Sequence, residues 1–317
     1  MLAALAMAAS GYVGVEVCKG CHTGHVDRQS RTHHARALRR VDGSQLEELF
    51  GNRALRERSG IEFSYRGKQV TVTQGDQRVE AAIEWVFGSG AQAITPVGRH
   101  EGKYFEHRIS WYRQPGQGAR TIGHSSSASR NVIEALGRAQ DAGTMFRCFN
   151  CHATGVRPGP DLSGTTTGIQ CERCHGPGSD HARQPSRANI KAFTKLGAQE
   201  SVGVCAECHR SPNAVVASGM PERDDPFSVR FQPVGLMASA CFKKSGKLSC
   251  VTCHDPHEDA ANGSQHYTTQ CVRCHSAGGK PVKNCKRREG ADCLGCHMQK
   301  SFPHPFLTFT DHRIRVY

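Results

Sequence analysis

The sequence predicts a mainly α-helical fold with extensive irregular loops and a small antiparallel β insert near residues 61–124. Apolar residues recur at helical spacing over residues 45–56. Residues 61–124 instead alternate in part between apolar and polar side chains, with glycines at the predicted turns. Between the short cysteine motifs of the second half lie stretches rich in glycine and proline, which are typical of loops.

These patterns divide the chain into four segments. Residues 1–11 contain a short apolar run that ends in small residues, which resembles the end of a signal peptide without its positive n-region; the alternative is an N-terminal tail. Residues 12–60 form a first segment around one cysteine motif. Residues 61–145 form a β-rich, haem-free insert, for which we expect no role in haem binding, and a linker helix over 129–143. Residues 146–317 form a six-haem domain that carries the remaining motifs.

Cys-x-x-Cys-His occurs seven times and uses 14 of the 16 cysteines. A chain of this composition is expected to contain about 0.05 copies by chance. The pattern is the attachment signature of c-type haem, in which two thiols form thioethers and the histidine binds the iron. The sequence therefore predicts seven covalently bound haem c groups. The motifs are Cys18/Cys21/His22, Cys148/Cys151/His152, Cys171/Cys174/His175, Cys205/Cys208/His209, Cys250/Cys253/His254, Cys271/Cys274/His275 and Cys293/Cys296/His297.

Two other uses of Cys-x-x-Cys explain the pattern less well. A zinc site needs paired Cys-x-x-Cys units that share one ion, and it gives no reason for a histidine after every second cysteine. A thioredoxin-type dithiol needs one motif in a βαβ context, which the sequence does not contain.

The composition is consistent with a core packed by cofactors. Only 37% of the residues are hydrophobic, which is little for a conventional core in 317 residues. Seven macrocycles supply large apolar bodies, so we expect the fold to be haem-packed and the haem-free chain to be largely disordered.

The net charge of +13 does not indicate a nucleic-acid partner. Haem propionates lower the charge of the oxidised holoprotein to roughly +6, and no basic run is interleaved with aromatic residues. Covalent haem and many cysteines indicate a periplasmic or extracellular protein. No apolar run reaches the length of a transmembrane span.

Eleven histidines lie outside the motifs, and seven of them would give every iron a second axial ligand. His107 is the first alternative to the seven chosen, His25 is another, and His100 is expected at the surface. Met220 and Met237 are alternative axial ligands. Cys241 and Cys285 form a disulfide, or they are free thiols or a cysteine ligand of a haem. The predicted distal ligands are His34, His124, His181, His257, His266, His304 and His312.

Three stretches, residues 171–181, 249–257 and 292–298 followed by 309–312, resemble the multihaem cytochrome c superfamily of hydroxylamine oxidoreductase, pentahaem nitrite reductase and their electron-carrier relatives. The resemblance implies a mostly helical scaffold with stacked haem pairs, and it supports His181, His257 and His312 as distal ligands. It does not imply enzyme activity, because the lysine that replaces the motif histidine in the nitrite reductases is absent from all seven motifs.

We therefore expect a heptahaem cytochrome that passes electrons along closely stacked, mostly bis-histidine haems between redox protein partners. One alternative is an oxidoreductase that acts on a small nitrogen or sulfur oxyanion at a five-coordinate haem. The other is a subunit of a homo-oligomer, a cytochrome filament or a membrane-associated electron-transfer complex.

Overall fold

The computed structural model describes residues 11–41, 43–50, 55–57, 59–159, 161–217, 226–275 and 292–316. The chain divides into two compact units, Met1–Lys191 and Ala192–Tyr317. The first unit contains three haem-attachment motifs and the second contains four.

The first unit is built on an antiparallel sheet, of which the described residues contribute ten strands. The strand order is β10-β7-β6-β5-β4-β3-β2, with β1 paired to β5 and with β8 paired to both β6 and β9. The strands are β1 (Leu38–Arg40), β2 (Leu55–Arg56), β3 (Glu62–Arg66), β4 (Gln69–Gln74), β5 (Gln77–Phe87), β6 (Ala93–His100), β7 (Lys103–His107), β8 (Ile109–Tyr112), β9 (Gln117–Arg120) and β10 (Gly137–Gln140).

Two-residue turns set the register of the central strands. Gly67 and Gly75 take positive φ angles of 57° and 55° between paired strands, which glycine adopts without steric cost. Glu101 and Gly102 both take positive φ where β6 turns into β7, as a type I′ hairpin requires.

The sheet buries side chains on both of its faces. Val70, Val72 and Ile83 lie in one apolar cluster, together with Leu136 of helix α3 (Val132–Leu136). Trp85, also on β5, belongs to a second cluster that contains Met145 and Phe149 of helix α4 (Ala142–His152). The sheet thus anchors a helix that carries a haem-attachment motif.

The remaining elements of the first unit are one helix of 15 residues and several shorter elements. They are helices α1 (Val15–Gln29), α2 (Gly43–Phe50), α5 (Cys171–His175) and α6 (Ser179–Arg183), and the strand pair β11 (Ala153–Thr154) and β12 (Thr166–Thr167).

The second unit is helical and has little apolar core. Within the described residues, Val215, Phe231 and Val234 form a buried apolar cluster, and Val202 and Leu236 are also buried. Its elements are helices α7 (Ala198–His209), α8 (Pro212–Ala217), α9 (Gln232–Ala238), α10 (Ala240–Ser245), α11 (Gln265–His275) and α12 (Cys293–His297), 3-10 turns at Phe193–Lys195, Pro226–Arg230 and Cys250–Thr252, and the hairpin β13 (Lys300–His304) and β14 (Leu307–Thr310).

The prediction of a mainly α-helical fold is wrong, because the residues that the structure describes are about 38% helix and 24% strand, with a large antiparallel sheet. The sheet also takes up strands β1, β2 and β10, outside the predicted insert. The predicted helix over 129–143 is interrupted: α3 ends at Leu136, β10 then pairs with β7, and α4 begins at Ala142. Residues 137–140 lack an apolar alternation, because their strand form is fixed by hydrogen bonds to a neighbouring strand.

No helix in the described part of the chain combines the length and the apolar character that a membrane crossing needs. The possible signal-peptide remnant at residues 1–10 lies outside the described residues.

Candidate haem-attachment sites

The motifs lie at points where a helix ends. Helices α4, α5, α7, α11 and α12 each end at a motif histidine. In α1 the helical geometry breaks at His22, with φ −119° and ψ 36°. A helical turn places the two cysteines, three residues apart, on one side of the chain with the histidine beside them. The local fold therefore brings the two thiols and the imidazole of a motif together.

Several motif imidazoles are oriented by a hydrogen bond at Nδ1. His152 pairs with the Ala37 carbonyl at 3.0 Å, His175 with that of Lys191 at 2.9 Å, and His297 with that of Arg315 at 2.9 Å. Because a carbonyl only accepts, Nδ1 carries the proton and Nε2 carries the lone pair. Metal-bound histidines show this arrangement, so these residues fit the proximal position of a haem.

Two motif histidines face a second imidazole across a gap suited to one iron atom. The ring centroids of His22 and His181 lie 6.2 Å apart with an interplanar angle of 16°. Those of His254 and His312 lie 6.3 Å apart at 34°. Since each imidazole nitrogen lies about 2 Å from a bound metal, two axial rings have centroids about 6 Å apart. Both pairs therefore have the separation of bis-histidine ligation.

The second imidazole of each pair also has its Nδ1 against an oxygen. His181 pairs with the Ser186 carbonyl at 3.0 Å, and His312 with the Thr310 carbonyl at 2.9 Å. Burial lowers the pKa of His312 to about 4, so its ring is neutral at pH 7, as a metal ligand must be. His257 pairs at Nδ1 with the Asp255 carboxylate at 2.9 Å.

The other predicted distal ligands are placed differently. His34 is exposed, and its backbone carbonyl accepts from Ile169. His266 is exposed on α11, with its ring centroid 5.0 Å from that of Tyr267. At His304 the Nδ1 atom accepts from the Phe306 amide at 3.3 Å, which favours the proton on Nε2.

Two histidines that are alternatives to the predicted distal ligands make defined hydrogen bonds. His107 is fully buried, with Nε2 2.7 Å from the Tyr65 hydroxyl and Nδ1 2.6 Å from the Leu136 carbonyl. The Nδ1 atom of His25 accepts from Arg28 at 3.2 Å. Met220 and Cys285 lie outside the described residues, whereas Met237 and Cys241 are half-buried.

Cysteines of different motifs lie in contact, and in each pair they are the first cysteines of their motifs. A hydrogen bond between the thiols of Cys18 and Cys171 raises the pKa of Cys18 and lowers that of Cys171. The thiols of Cys205 and Cys250 form the same contact, which raises the pKa of Cys205 and lowers that of Cys250. These contacts bring the first motif beside the third, and the fourth beside the fifth.

The last two motifs are paired in the same way. Burial and then the neighbouring Cys293 thiol raise the pKa of Cys271 to about 11. The backbone amide of Cys293 also donates to the Thr268 hydroxyl on the helix that carries Cys271. The sixth motif therefore lies beside the seventh.

The second motif, at residues 148–152, borders a cavity of about 260 Å³ against the sheet. Its wall contains apolar side chains of β5 and β6 and, from α4, Met145, Cys148 and His152. The ring of Phe87 contacts that of His152 edge-on, at a centroid distance of 5.2 Å. An apolar cavity beside a motif cysteine and histidine fits a porphyrin face. The full lining is Phe87, Gly88, Ala93, Thr95, Val97, Glu106, Gln140, Met145, Cys148 and His152.

One acid, the half-buried Glu106, lines the cavity wall. The carboxylate of Glu106 is 3.2 Å from Nε2 of His124 and accepts from Arg138 at 2.7 Å and from Gln140 at 3.2 Å. The side chain of His124, a predicted distal ligand, is only 4% exposed and is engaged by this carboxylate. Among the described residues, His152 is the one imidazole that lines the cavity.

Seven predicted attachment cysteines belong neither to the thiol pairs nor to the cavity wall described above, and each is the second of its motif. Four of these seven lie on helices α1, α7, α11 and α12. They are Cys21 on α1, Cys208 on α7, Cys274 on α11 and Cys296 on α12. The thiol-bearing residues Cys21, Cys274 and Cys296 are exposed, and Cys208 is half-buried. The structure thus does not mark these four as binding residues by burial, and their thioether bonds to haem stay a prediction from the motif. Exposure is compatible with attachment, because a macrocycle must reach a thiol before it can form a thioether.

One of these four cysteines lies near another motif. Burial raises the pKa of Cys253, and the nearby thiols of Cys241 and Cys274 raise it further. Cys274 belongs to the sixth motif and Cys253 to the fifth, so the pairs formed by the fourth and fifth motifs and by the sixth and seventh motifs lie near each other in the second unit.

Sequence reasoning missed the residues that support these sites. Arg39 lies two residues beyond Ala37, whose carbonyl orients His152, and its buried Nε has no hydrogen-bond partner within the described residues. Burial and the nearby Arg36 lower the pKa of Arg39. Two close guanidinium groups fit a carboxylate such as a haem propionate. The spacing Arg36-x-x-Arg39 was the available signal, but many surface arginines share it.

The chain is similar in sequence to known proteins. The family model described as cytochrome c554 and c-prime matches residues 104–176. Over 178 residues the chain is 24% identical to the multiheme cytochrome MtrA of Shewanella baltica (strain OS185), a match that covers 49% of this chain and 53% of that protein. The chain thus spans about half the length of this curated relative.

Two solved structures have a similar fold. The outer cell wall cytochrome OcwA superposes with a TM-score of 0.54 at 15% identity, over 96% of this chain and 80% of that one. The undecaheme cytochrome from the S-layer of Carboxydothermus ferrireducens superposes with a TM-score of 0.51 at 17% identity. The superposition covers 96% of this chain and 52% of that one. In sequence and in fold, the chain is therefore similar to multihaem cytochromes.

Proposed function

We propose that this protein is a heptahaem c-type cytochrome that passes electrons along closely spaced, mostly bis-histidine haems between redox partners. The observation that carries the proposal is the spacing of two imidazole pairs. The ring centroids lie 6.2 Å apart in the pair of His22 with His181 and 6.3 Å apart in the pair of His254 with His312. Two strong nitrogen ligands fill both axial positions of an iron, which favours electron transfer over binding of a substrate.

Haem iron supplies the redox chemistry by exchanging one electron. The protein's own residues fix where that exchange occurs. Motif cysteines tether the macrocycle, and the Nδ1 hydrogen bonds of His152, His175 and His297 hold the proximal rings in one orientation. Carbonyl acceptors at Nδ1 also make the imidazole a stronger donor to iron.

The cysteine contacts support an arrangement of haems in pairs. Cys18 beside Cys171, Cys205 beside Cys250 and Cys271 beside Cys293 tether macrocycles from neighbouring motifs at adjacent points. Haems attached this closely exchange electrons without a mobile carrier. We infer that the haems of the first and third motifs form one pair, those of the fourth and fifth a second, and those of the sixth and seventh a third. We also infer that the protein belongs to the superfamily that includes hydroxylamine oxidoreductase.

The setting we propose is outside the cytosol, in the periplasm or at the cell surface. Covalent haem and sixteen cysteines support this setting. The structural relatives are an outer cell wall cytochrome and an S-layer cytochrome. A donor and an acceptor protein, or further copies of the chain in an oligomer or filament, would complete the path.

A reductive titration of the matured protein tests electron transfer. Anaerobic addition of a one-electron reductant should be complete after seven electrons per chain, and the haem absorption bands should shift throughout the titration. A small-molecule oxidant should then reoxidise all haems, including buried ones. Uptake of clearly fewer electrons than covalent haems, with some haems never reduced, would contradict a connected path.

A second candidate function, reduction or oxidation of a small nitrogen or sulfur oxyanion, is favoured at one place only. The cavity beside Cys148 and His152 has no second imidazole among its described lining residues, and His124 is engaged by Glu106. An iron bound there would keep an open position. A high-spin ferric signal lost on addition of cyanide, together with turnover of nitrite or hydroxylamine, would support this function; an entirely low-spin protein would exclude it.

A further inference from the structure

The carboxylate of Glu172 joins the backbone of two distant segments. Glu172 is the second residue of the third attachment motif and is only 4% exposed. Its Oε1 accepts from the amides of Val13 at 2.9 Å and Gly178 at 2.8 Å. Its Oε2 accepts from the amide of Gly14 at 2.9 Å. One buried carboxylate thus satisfies three backbone donors.

These donors stand at the starts of two helices. Gly14 immediately precedes α1, which carries His22 and the first motif. Gly178 immediately precedes α6, which carries His181. Glu172 itself lies in α5, between Cys171 and Cys174. The carboxylate therefore contacts the backbone next to both helices that supply the His22 and His181 rings.

The surroundings leave the carboxylate little room to move. A Cβ added at Gly178 would lie 3.2 Å from Glu172 Oε1 and 3.2 Å from the Val13 side chain. The Ser179 amide also donates to the Gly11 carbonyl at 3.0 Å, which ties the same two segments together. A negative charge is favourable at the amino end of the fifteen-residue helix α1, where unpaired amides concentrate positive charge.

We propose that Glu172 is a positioning residue that sets the geometry of the His22–His181 pair and holds the first haem against the third. The inference rests on the proposed ligation of one iron by these two imidazoles. Charge-assisted hydrogen bonds to ionised carboxylates are short and about twice as strong as neutral ones, so three of them fix the helix starts firmly. The contact of Cys18 with Cys171 lies in the same cluster.

The substitution Glu172→Gln tests the role at constant size. A glutamine offers one acceptor oxygen and turns an NH₂ group toward a backbone amide, so at least one of the three donors loses its partner. The matched control is Glu207→Gln, which changes the exposed acid inside the fourth motif. His181→Ala identifies the signal of the affected haem, because it removes the proposed ligand itself.

The readout is the low-temperature electron paramagnetic resonance spectrum of each holoprotein, with covalent haem counted by mass. We expect His181→Ala to convert one low-spin haem to high spin. Glu172→Gln should displace the low-spin signal of that same haem. The spectrum of Glu207→Gln should match that of the unchanged protein. If His181→Ala changes one haem but Glu172→Gln changes none, the role of Glu172 is overturned and the ligation stands. If His181→Ala changes nothing, the ligation and this inference both fail.

A second variant keeps the test decisive if Glu172→Gln fails to bind its haems. Glu172→Asp keeps the charge and shortens the reach by one methylene, so it weakens the same contacts. With a full haem complement, it should displace the signal that His181→Ala removes. An unaltered spectrum for Glu172→Asp would overturn the proposal.

Discussion

The imidazole rings of His22 and His181 lie nearly parallel, within 16°, with their centroids 6.2 Å apart. This distance is too long for ring stacking in contact and matches two axial ligands on one metal. The two residues are 159 positions apart in sequence, so the fold brings the segment of the third motif against the histidine of the first.

Removal of His181 should leave one iron with a single axial histidine. We expect His181→Ala to convert one low-spin haem to high spin and leave the number of covalent haems unchanged, because thioethers retain the macrocycle. Magnetic circular dichroism and electron paramagnetic resonance measure this directly. His25→Ala is the control, since Nδ1 of His25 accepts from Arg28. A high-spin signal in the control as well would argue against a specific ligand.

The pair of His254 with His312 predicts a change in the reduction potential of one haem. His312→Met should keep one iron six-coordinate and raise its reduction potential, because a thioether stabilises ferrous iron relative to an imidazole. Spectroelectrochemical titration should show one haem moving to higher potential while the others stay in place. An unchanged titration curve would mean that His312 does not bind iron.

The candidate haem sites could be predicted from the sequence, because their motif is local. Two cysteines and a histidine within five residues predict attachment whatever the surrounding fold, and the attachment stays a prediction. His181 and His312 were predicted and lie opposite His22 and His254. The role of Glu172 could not be predicted, because the Val13 and Gly14 amides that it binds are far away in the sequence.

The fold was predicted less well for a similar reason. The alternating strands of residues 61–124 were recognised, but β1 and β10 owe their form to partners on β5 and β7. The insert was also expected to have no haem-related role. Phe87 and Val97 instead line the cavity beside His152, a contact that no local pattern indicates.

The sheet should stabilise the second attachment motif through Phe149. This ring lies between Cys148 and Cys151 in sequence, is fully buried, and packs edge-on against Trp85 at 5.1 Å and Phe87 at 5.2 Å. Phe149→Ala should lower the unfolding free energy by about 3–5 kcal/mol through lost packing and a residual cavity.

The neighbouring exposed residue provides the control for this loss. Asn150→Ala changes the same motif at the surface and should alter stability by less than about 0.5 kcal/mol. Urea denaturation of the holoproteins measures both values. Equal losses in the two variants would show that the motif, rather than its contact with the sheet, limits stability.

Buried His107 should make stability depend on pH. Burial lowers its pKa from 6.5 to about 4, so the unfolded chain takes up a proton at a higher pH than the folded protein does. The contribution of His107 to the free energy of unfolding is therefore complete above pH 6.5. It is lost as the pH falls towards 4, and the loss amounts to about 3 kcal/mol.

The variant His107→Gln isolates this contribution. It cannot be protonated in that range, so the difference in unfolding free energy between the two proteins should shrink as the pH falls from 6.5 to 4. Denaturant titrations at several pH values test this. A difference that stays constant with pH would mean that His107 keeps an ordinary pKa in the fold.

Counting covalent haems and their spin states in the matured protein is the most direct test of the central claim. Intact mass and the alkaline pyridine spectrum should give seven haem c groups per chain, and electron paramagnetic resonance should give mainly low-spin, bis-histidine iron. A colourless protein, or one with zinc at the Cys-x-x-Cys-His thiols, would contradict the account.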